Sequence, residues 1–152
     1  MRTAAILVML SVLATICFAQ TTPSICPIAD FHGKSAEFGH RIHPVLGVDR
    51  DHNGIDFFVP CGTPTLATAD GKVVQAKTVE NYGVIVRIQH RAGLQTFYAH
   101  LADFTISVGE TVHKGQVIGH SGNSGLTSRP HLHYEVIKNG TAENPREYFA
   151  QK

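Results

Sequence analysis

The chain has 152 residues, which is the length of one domain with a sizeable hydrophobic core. Its 13 basic and 12 acidic residues nearly cancel, so the composition offers no basic surface of the kind that binds nucleic acid. The ten histidines leave acidic polymers open as partners at mildly acidic pH, where histidine gains positive charge.

The first 19 residues have the anatomy of a secretory signal peptide. Arg2 precedes an apolar run over residues 4–13, and a small-residue site ends at Ala19. The run is short for a membrane span. We expect cleavage after Ala19, export to the periplasm or the medium, and no membrane attachment afterwards. The alternative, a lipid anchor on Cys17, is disfavoured because bulky Ile16 stands where a small residue is expected.

Two cysteines remain after such a cleavage, and an oxidising compartment favours their pairing. We therefore expect a disulfide between Cys26 and Cys61 that ties the N-terminal arm to the domain. The alternative is two separate thiols, one or both buried. Neither cysteine has the CxxC spacing that is typical of zinc ligands.

The rest of the chain is predicted to form an N-terminal arm over 20–37, one domain over 38–148 and a tail over 149–152. Short β-type runs follow one another from about residue 54, with turn signals roughly every ten residues. These runs are GIDFFV, TPTLAT, KVVQAK, GVIVRIQH, LQTFYAHL, TVHKGQVIGHSG and HLHYEVIK. No stretch has a helical period. The sequence predicts an all-β fold, a single compact domain with an antiparallel sheet.

Most histidines are expected to be surface or hydrogen-bonded residues, because they stand singly in loops or at strand ends. These are His32, His40, His90, His113 and His120. Three places differ from that pattern. His52 and Asp56 are four residues apart across an Asn-Gly turn, which can bring them together through its tolerance of positive φ. His100 ends an apolar strand, and the stretch HLHYEV contains a pair of histidines.

That histidine pair lies on a predicted strand, where side chains alternate between two faces. His131, His133 and Glu135 then share one face, and the apolar side chains between them share the other. Two imidazoles and a carboxylate are common zinc ligands, and a catalytic zinc keeps one position for water. His52, Asp56 and one histidine of the pair supply such a set, which leaves the other histidine and His100 for proton transfer.

Seven stretches together resemble the LytM/lysostaphin-type zinc metallopeptidases, which cut peptide bonds of bacterial peptidoglycan. They are FGHRIHPVLG, HNGIDF, GTPTLATADGKVV, YGVIVRIQH, TFYAHL, VGETVHKGQVIGHSGNSG and PHLHYEV, in the family's order over residues 38 to 136. The resemblance implies a small antiparallel sheet domain with a groove walled by loops. It also implies one zinc ion held by His52, Asp56 and His133. His131 and His100 become the catalytic histidines beside it.

The expected activity is hydrolysis of peptide cross-links by a zinc-activated water. His131 is predicted to act as the base, and His100 as a hydrogen-bond donor to the oxyanion. The expected partners are stem peptides or cross-bridges, with the scissile bond and the oligomeric state left open. The alternative is a non-hydrolytic wall-binding or activator module, although all five residues of the site are present.

Other residues near the motifs have open roles in the sequence. Glu135 is either a partner that orients a ligand ring or a solvent-facing carboxylate. Tyr98 is either directed to the groove or packed in the core. Arg41 and His43 are expected to line the substrate approach. Arg129 stands where the family often has a small residue, so a groove wall is expected to differ in size or charge.

Overall fold

The computed structural model describes residues 21–43 and 45–149, and the predicted signal peptide lies outside them. Twelve strands form nearly all of the regular structure. They are β1 Ser35–Ala36, β2 Gly39–Ile42, β3 Asp49–His52, β4 Ile55–Phe57, β5 Pro64–Leu66, β6 Gly71–Val79, β7 Gly83–Gln89, β8 Leu94–Phe104, β9 Thr111–Val112, β10 Val117–Ser121, β11 Leu132–Lys138 and β12 Thr141–Glu143. A single turn of 3-10 helix, Pro145–Glu147, follows β12. The predicted all-β class is therefore confirmed over the described residues.

Ten of the strands form one antiparallel sheet, whose main path is β1-β4-β11-β8-β7-β6-β9. Strand β12 pairs with β11, and β10 joins the far half of β8 to β5. Strands β2 and β3 form a separate hairpin that stands apart from this sheet. Strand β11 lies between β4 and β8 and is therefore paired on both sides. It carries His133, and His131 immediately precedes it.

The core lies on one face of this sheet. Leu132, Tyr134 and Val136 of β11 are fully buried in it, as the alternation of the strand predicts. Tyr98 packs beside them, and its hydroxyl is hydrogen-bonded to Thr68, so it is a core aromatic and does not reach the groove. The opposite face of the sheet is left for polar side chains and a small second cluster of apolar ones.

The predicted N-terminal arm contributes to this architecture in its described part. Ser35 and Ala36 pair with Phe57 and Asp56 of β4, and Ile28 is buried in the core. Burial of apolar side chains is the main stabilising term in folding, so this segment contributes to the stability of the domain. The boundaries drawn at residues 37 and 148 stay predictions.

The expected disulfide between Cys26 and Cys61 is wrong for this structure, in which both thiols are free. Cys26 is half-buried at the edge of the core, where burial first of all raises the pKa of its thiol. Cys61 is exposed in the turn between β4 and β5. Strand pairing and apolar packing attach the arm to the domain.

His90 gives the fold a measurable pH dependence. Its Nδ1 donates to the carbonyl of Asp70 at 2.7 Å, and its Nε2 accepts from the hydroxyl of Thr96 at 2.8 Å. Burial lowers the pKa of His90, so the folded state holds the ring neutral. The unfolded chain takes up the proton more readily than the folded state does. The contribution of His90 to the free energy of unfolding is therefore full above pH 6.5 and is lost as the pH falls below that value.

We expect His90→Gln to lower the free energy of unfolding by about 1 kcal/mol at pH 7.5 and by less at pH 5.5. Urea unfolding of the zinc-free protein at both pH values measures the difference. His113→Gln, which changes an exposed histidine, is the matched control. A destabilisation by His90→Gln that is equal at the two pH values contradicts the assignment of a neutral buried ring.

No helix among the described residues is long and apolar enough to cross a membrane.

Candidate metal centre

Three strands bring the predicted metal ligands together. His52 ends β3, Asp56 is the middle residue of β4, and His133 lies on β11. Asp56 and His133 are direct partners in the register of β4 and β11. Close approach of these strands depends on Gly54, where a Cβ atom would lie 2.3 Å from the carbonyl oxygen of Tyr134. Glycine is therefore required at position 54 because no side chain fits there. The Asn-Gly sequence suggested a positive φ at this turn, but the φ of Gly54 is not positive.

The donor atoms of the three side chains converge on one point. Nε2 of His52 lies 3.0 Å from Oδ1 of Asp56 and 3.2 Å from Nδ1 of His133. Nδ1 of His133 lies 2.7 Å from the same Oδ1. All three residues are buried, and their ligand atoms lie within 4.8 Å of one another. Ligands of a tetrahedral zinc are about 3.3 Å apart, so small shifts accommodate the ion.

Each imidazole of the cluster is oriented by a hydrogen bond from its other nitrogen. Nδ1 of His52 donates to the backbone carbonyl of Glu37 at 2.7 Å, which leaves Nε2 free as a ligand. Nε2 of His133 faces Oε1 of Glu135 at 2.9 Å, which directs Nδ1 to the cluster. Glu135 is therefore a buried orienting carboxylate and does not face solvent.

Charge in the cluster favours a cation at its centre. Burial acts to raise the pKa of the Asp56 carboxyl, but the contacts of its Oδ1 with His133 and His52 outweigh that effect and hold the pKa well below its usual range. Burial acts to lower the pKa of His133, and the two carboxylates of Asp56 and Glu135 raise it to about 9. Without metal, an imidazolium proton sits on Nδ1, and a metal ion takes its place.

Arg41 completes the surroundings of Asp56. Its guanidinium donates to Oδ2 of Asp56 at 2.6 Å, so one carboxylate oxygen is engaged by Arg41 and the other points to the cluster. Arg41 was expected only to line the substrate approach, and its ion pair was not predicted. The carbonyl of Glu37 was also missed, because a backbone atom has no signal in the sequence.

The two remaining histidines lie beside the cluster. The ring centroids of His100 and His131 are 4.7 Å apart, and Nε2 of His131 is 3.7 Å from Oδ1 of Asp56. Nδ1 of His131 donates to the carbonyl of Arg129, and Nδ1 of His100 donates to the carbonyl of Ser124, both at 2.8 Å. A carbonyl only accepts, so each neutral ring carries its proton on Nδ1 and presents a bare Nε2.

His100 reaches this face of the sheet through an irregularity in β8. The register between β7 and β8 shifts between Val84, which opposes Leu101, and Val86, which opposes Tyr98. His100 adopts a φ of 59°, in the left-handed region, within this bulge. Simple alternation places His100 on the same face as core residue Tyr98, so the bulge is what directs it to the site.

A groove of about 430 Å³ lies over the cluster. One wall is the β2–β3 hairpin, and a second is the loop over residues 126–129 between β10 and β11. His43 lines the groove and also stabilises the hairpin turn, because its Nδ1 accepts from the backbone amides of Val45 and Leu46. Tyr82 lies across the groove, with its ring 6.3 Å from that of His100.

Glu135 gives a first test of the orienting bonds. We expect Glu135→Gln to weaken zinc binding about tenfold, because an amide retains the acceptor but loses the charge that makes His133 more basic. Competition with a chromogenic chelator measures the dissociation constant. Glu80→Gln, at an exposed position outside the groove, is the matched control. Equal zinc affinities of Glu135→Gln and the unchanged protein contradict this role.

Several known proteins are similar to this chain in sequence and in fold. A family model described as Peptidase family M23 matches residues 50–145. DD-carboxypeptidase/endopeptidase Mpg of Neisseria meningitidis is 45% identical over 111 residues, which are 73% of this chain and 26% of that protein. Peptidoglycan DD-endopeptidase ShyC of Vibrio cholerae is 41% identical over 118 residues, 77% of this chain and 27% of the relative. The chain thus spans about a quarter of the length of these curated relatives.

A solved structure described as a zinc containing peptidase from Vibrio cholerae superimposes with a TM-score of 0.75. It is 31% identical, and the match covers 82% of this chain and 39% of that one. The fold and the three converging donors define a β-sheet domain with a zinc site. The chain belongs to Peptidase family M23, as the motifs indicated. The zinc cofactor is confirmed with it, whereas the role of each residue stays a prediction.

Proposed function

We propose that this chain is a zinc-dependent endopeptidase that hydrolyses peptide cross-links of bacterial peptidoglycan. The observation that carries the proposal is the cluster of His52, Asp56 and His133 at the base of a groove, with two further histidines presenting bare Nε2 atoms beside it. Peptide-bond hydrolysis needs an activated water, a proton acceptor and stabilisation of an oxyanion. The relatives named as DD-endopeptidases support D-alanyl cross-links as the substrate.

Bound zinc would supply Lewis acidity, which lowers the pKa of a water molecule and polarises the scissile carbonyl. The chain's own contribution begins with His131. Its Nε2 is the unprotonated nitrogen and lies 3.7 Å from Oδ1 of Asp56 at the edge of the cluster. Burial lowers the pKa of His131, which keeps the ring neutral and ready to accept a proton at neutral pH. We assign His131 as the general base that accepts the proton of the attacking water.

His100 supports the oxyanion only after it gains a proton. The bond from its Nδ1 to Ser124 leaves no hydrogen on Nε2 of the neutral ring. Burial lowers the pKa of His100 to about 4, so the resting ring is neutral at pH 7. Because the two rings are in contact, we propose that His100 receives the proton from the His131 side and then donates from Nε2 to the oxyanion or to the leaving amine.

The decisive experiment exposes the zinc-loaded chain from Gln20 to Lys152 to purified peptidoglycan with D-alanyl or glycine cross-links. The same digestions are repeated with a chelator, and mass spectrometry identifies the released fragments. We expect chelator-sensitive release from D-alanyl walls, and the new termini name the bond. Secretion is tested separately, by expressing residues 1–152 and sequencing the N-terminus of the exported product.

A non-hydrolytic activator of other wall enzymes is the competing function. Folded, zinc-loaded protein that binds peptidoglycan but leaves every wall type intact supports that alternative. The buried cluster argues against it, since a pure binding module has no need for His100 and His131 to present bare nitrogens to a groove.

A further inference from the structure

The groove contains more positive charge than its own side chains neutralise. Its three acidic residues are all engaged: Asp51 faces His40, Asp56 binds Arg41 and the histidines, and Glu135 binds His133. Of the arginines in its walls, Arg41 is paired with Asp56.

The other two arginines of the groove are Arg50 and Arg129. Neither forms a hydrogen bond or ion pair through its guanidinium with any residue in the described ranges 21–43 and 45–149. Both are exposed. Exposed positive charge in a concave site concentrates anionic ligands there.

Arg129 is the better positioned of the two. Its guanidinium carbon lies 4.7 Å from the centre of the Phe58 ring, a cation–π contact that holds the planar group against the wall. A guanidinium stacked in this way keeps its edge N–H groups free, and those groups match the two oxygens of a carboxylate. Phe58 is half-buried between β4 and the turn that follows, so the platform itself is anchored.

The stacked pair of Phe58 and Arg129 lies next to His131, the proposed base. The Phe58 ring lies 6.4 Å from the ring of His131, centroid to centroid. The backbone carbonyl of Arg129 accepts the Nδ1 hydrogen of His131. The Phe58 ring thus links the two groups, 4.7 Å from the Arg129 guanidinium and 6.4 Å from the His131 ring. Each residue of an extended peptide spans about 3.3–3.6 Å. A carboxylate bound by Arg129 therefore belongs to a residue within about three positions of the peptide bond that lies next to His131.

We propose that Arg129, stacked on Phe58, binds a free carboxylate of the peptide substrate and selects for substrates that carry one close to the scissile bond. This inference rests on the proposed peptidase function and adds its substrate class. Arg50 stands on the hairpin wall, next to Arg41 in the register of β2 and β3, and adds a general attraction for anions.

Synthetic peptides test the assignment. The parent has a D-alanyl bond followed by one residue with both an α-carboxylate and a side-chain carboxylate, and its derivatives have either or both converted to the amide. We expect the protein to prefer the parent over the doubly amidated peptide by about tenfold in kcat/KM. The singly amidated peptides identify which carboxylate is bound.

The variant Arg129→Gln is expected to abolish this preference, and Arg129→Lys to retain only part of it, because lysine keeps the charge without the planar fork. Lys77→Gln removes an equal charge from an exposed position of β6 and is the matched control. If Arg129→Gln lowers kcat/KM equally for the parent and the doubly amidated peptide, the proposal is overturned, because Arg129 then acts only by positioning His131. No preference in the unchanged protein also overturns it.

A binding measurement separates this inference from the proposed function. Calorimetric titration of the zinc-loaded protein with the same peptides reports carboxylate recognition whether or not they are cleaved. A binding preference that Arg129→Gln abolishes, without any turnover, supports the carboxylate site and refutes the peptidase. Turnover without a carboxylate preference in binding or rate supports the peptidase and refutes the carboxylate site.

Discussion

We expect His133→Ala to reduce hydrolysis of peptidoglycan to the background rate and to abolish stoichiometric zinc binding. His133 is buried and is held between Asp56 at 2.7 Å and Glu135 at 2.9 Å. Its removal leaves two donors, one fewer than a catalytic zinc site requires. It also leaves Glu135 buried without a partner, and an unpaired buried charge destabilises a fold by about 3–5 kcal/mol.

Zinc content by mass spectrometry and the midpoint of urea unfolding distinguish these two effects. The expected result is loss of zinc together with reduced stability, in a protein that still shows a cooperative transition. His120→Ala is the matched control, because His120 contacts the carboxylate of Asp103 on an exposed part of the chain. One equivalent of tightly bound zinc in His133→Ala would exclude His133 from the ligand set.

The second large effect is expected at His131. We expect His131→Ala to lower kcat by about 10²–10⁴-fold while zinc remains bound, because proton transfer by a positioned base contributes that much. The side chain lies outside the convergent donor set, with Nε2 at 3.7 Å from Oδ1 of Asp56, so its loss removes no ligand. A near-normal rate with zinc present contradicts the assignment of His131 as the base.

His100→Asn is the matched comparison for His131→Ala. Asparagine tolerates the left-handed conformation at φ 59° better than alanine does, so this variant removes the imidazole with little added backbone strain. If His100 only passes on or donates a proton, we expect His100→Asn to lower kcat by less than His131→Ala does. A larger loss with zinc retained assigns the base to His100 and exchanges the two roles.

The sequence predicted the all-β class, which the structure confirms, and it predicted the residues that the structure brings together at the metal centre. Alternation along HLHYEV separated core side chains from polar ones, and the structure has Leu132, Tyr134 and Val136 in the core with His133 and Glu135 on the opposite face. That pattern is local, since a strand with one apolar face must bury it. The family motifs then related His52 and Asp56 to residues some 80 positions away.

The orientation of these side chains and the groups around them depend on tertiary contacts that the sequence patterns do not predict. The bulge in β8 overrides alternation and directs His100 to the site, the carbonyl of Glu37 fixes the tautomer of His52, and Arg41 engages one oxygen of Asp56. The pairing of Cys26 with Cys61 was wrong because cysteine number and compartment carry no distance information. Register shifts, backbone acceptors and thiol separations all arise from contacts between distant segments, which periodicity and spacing do not encode.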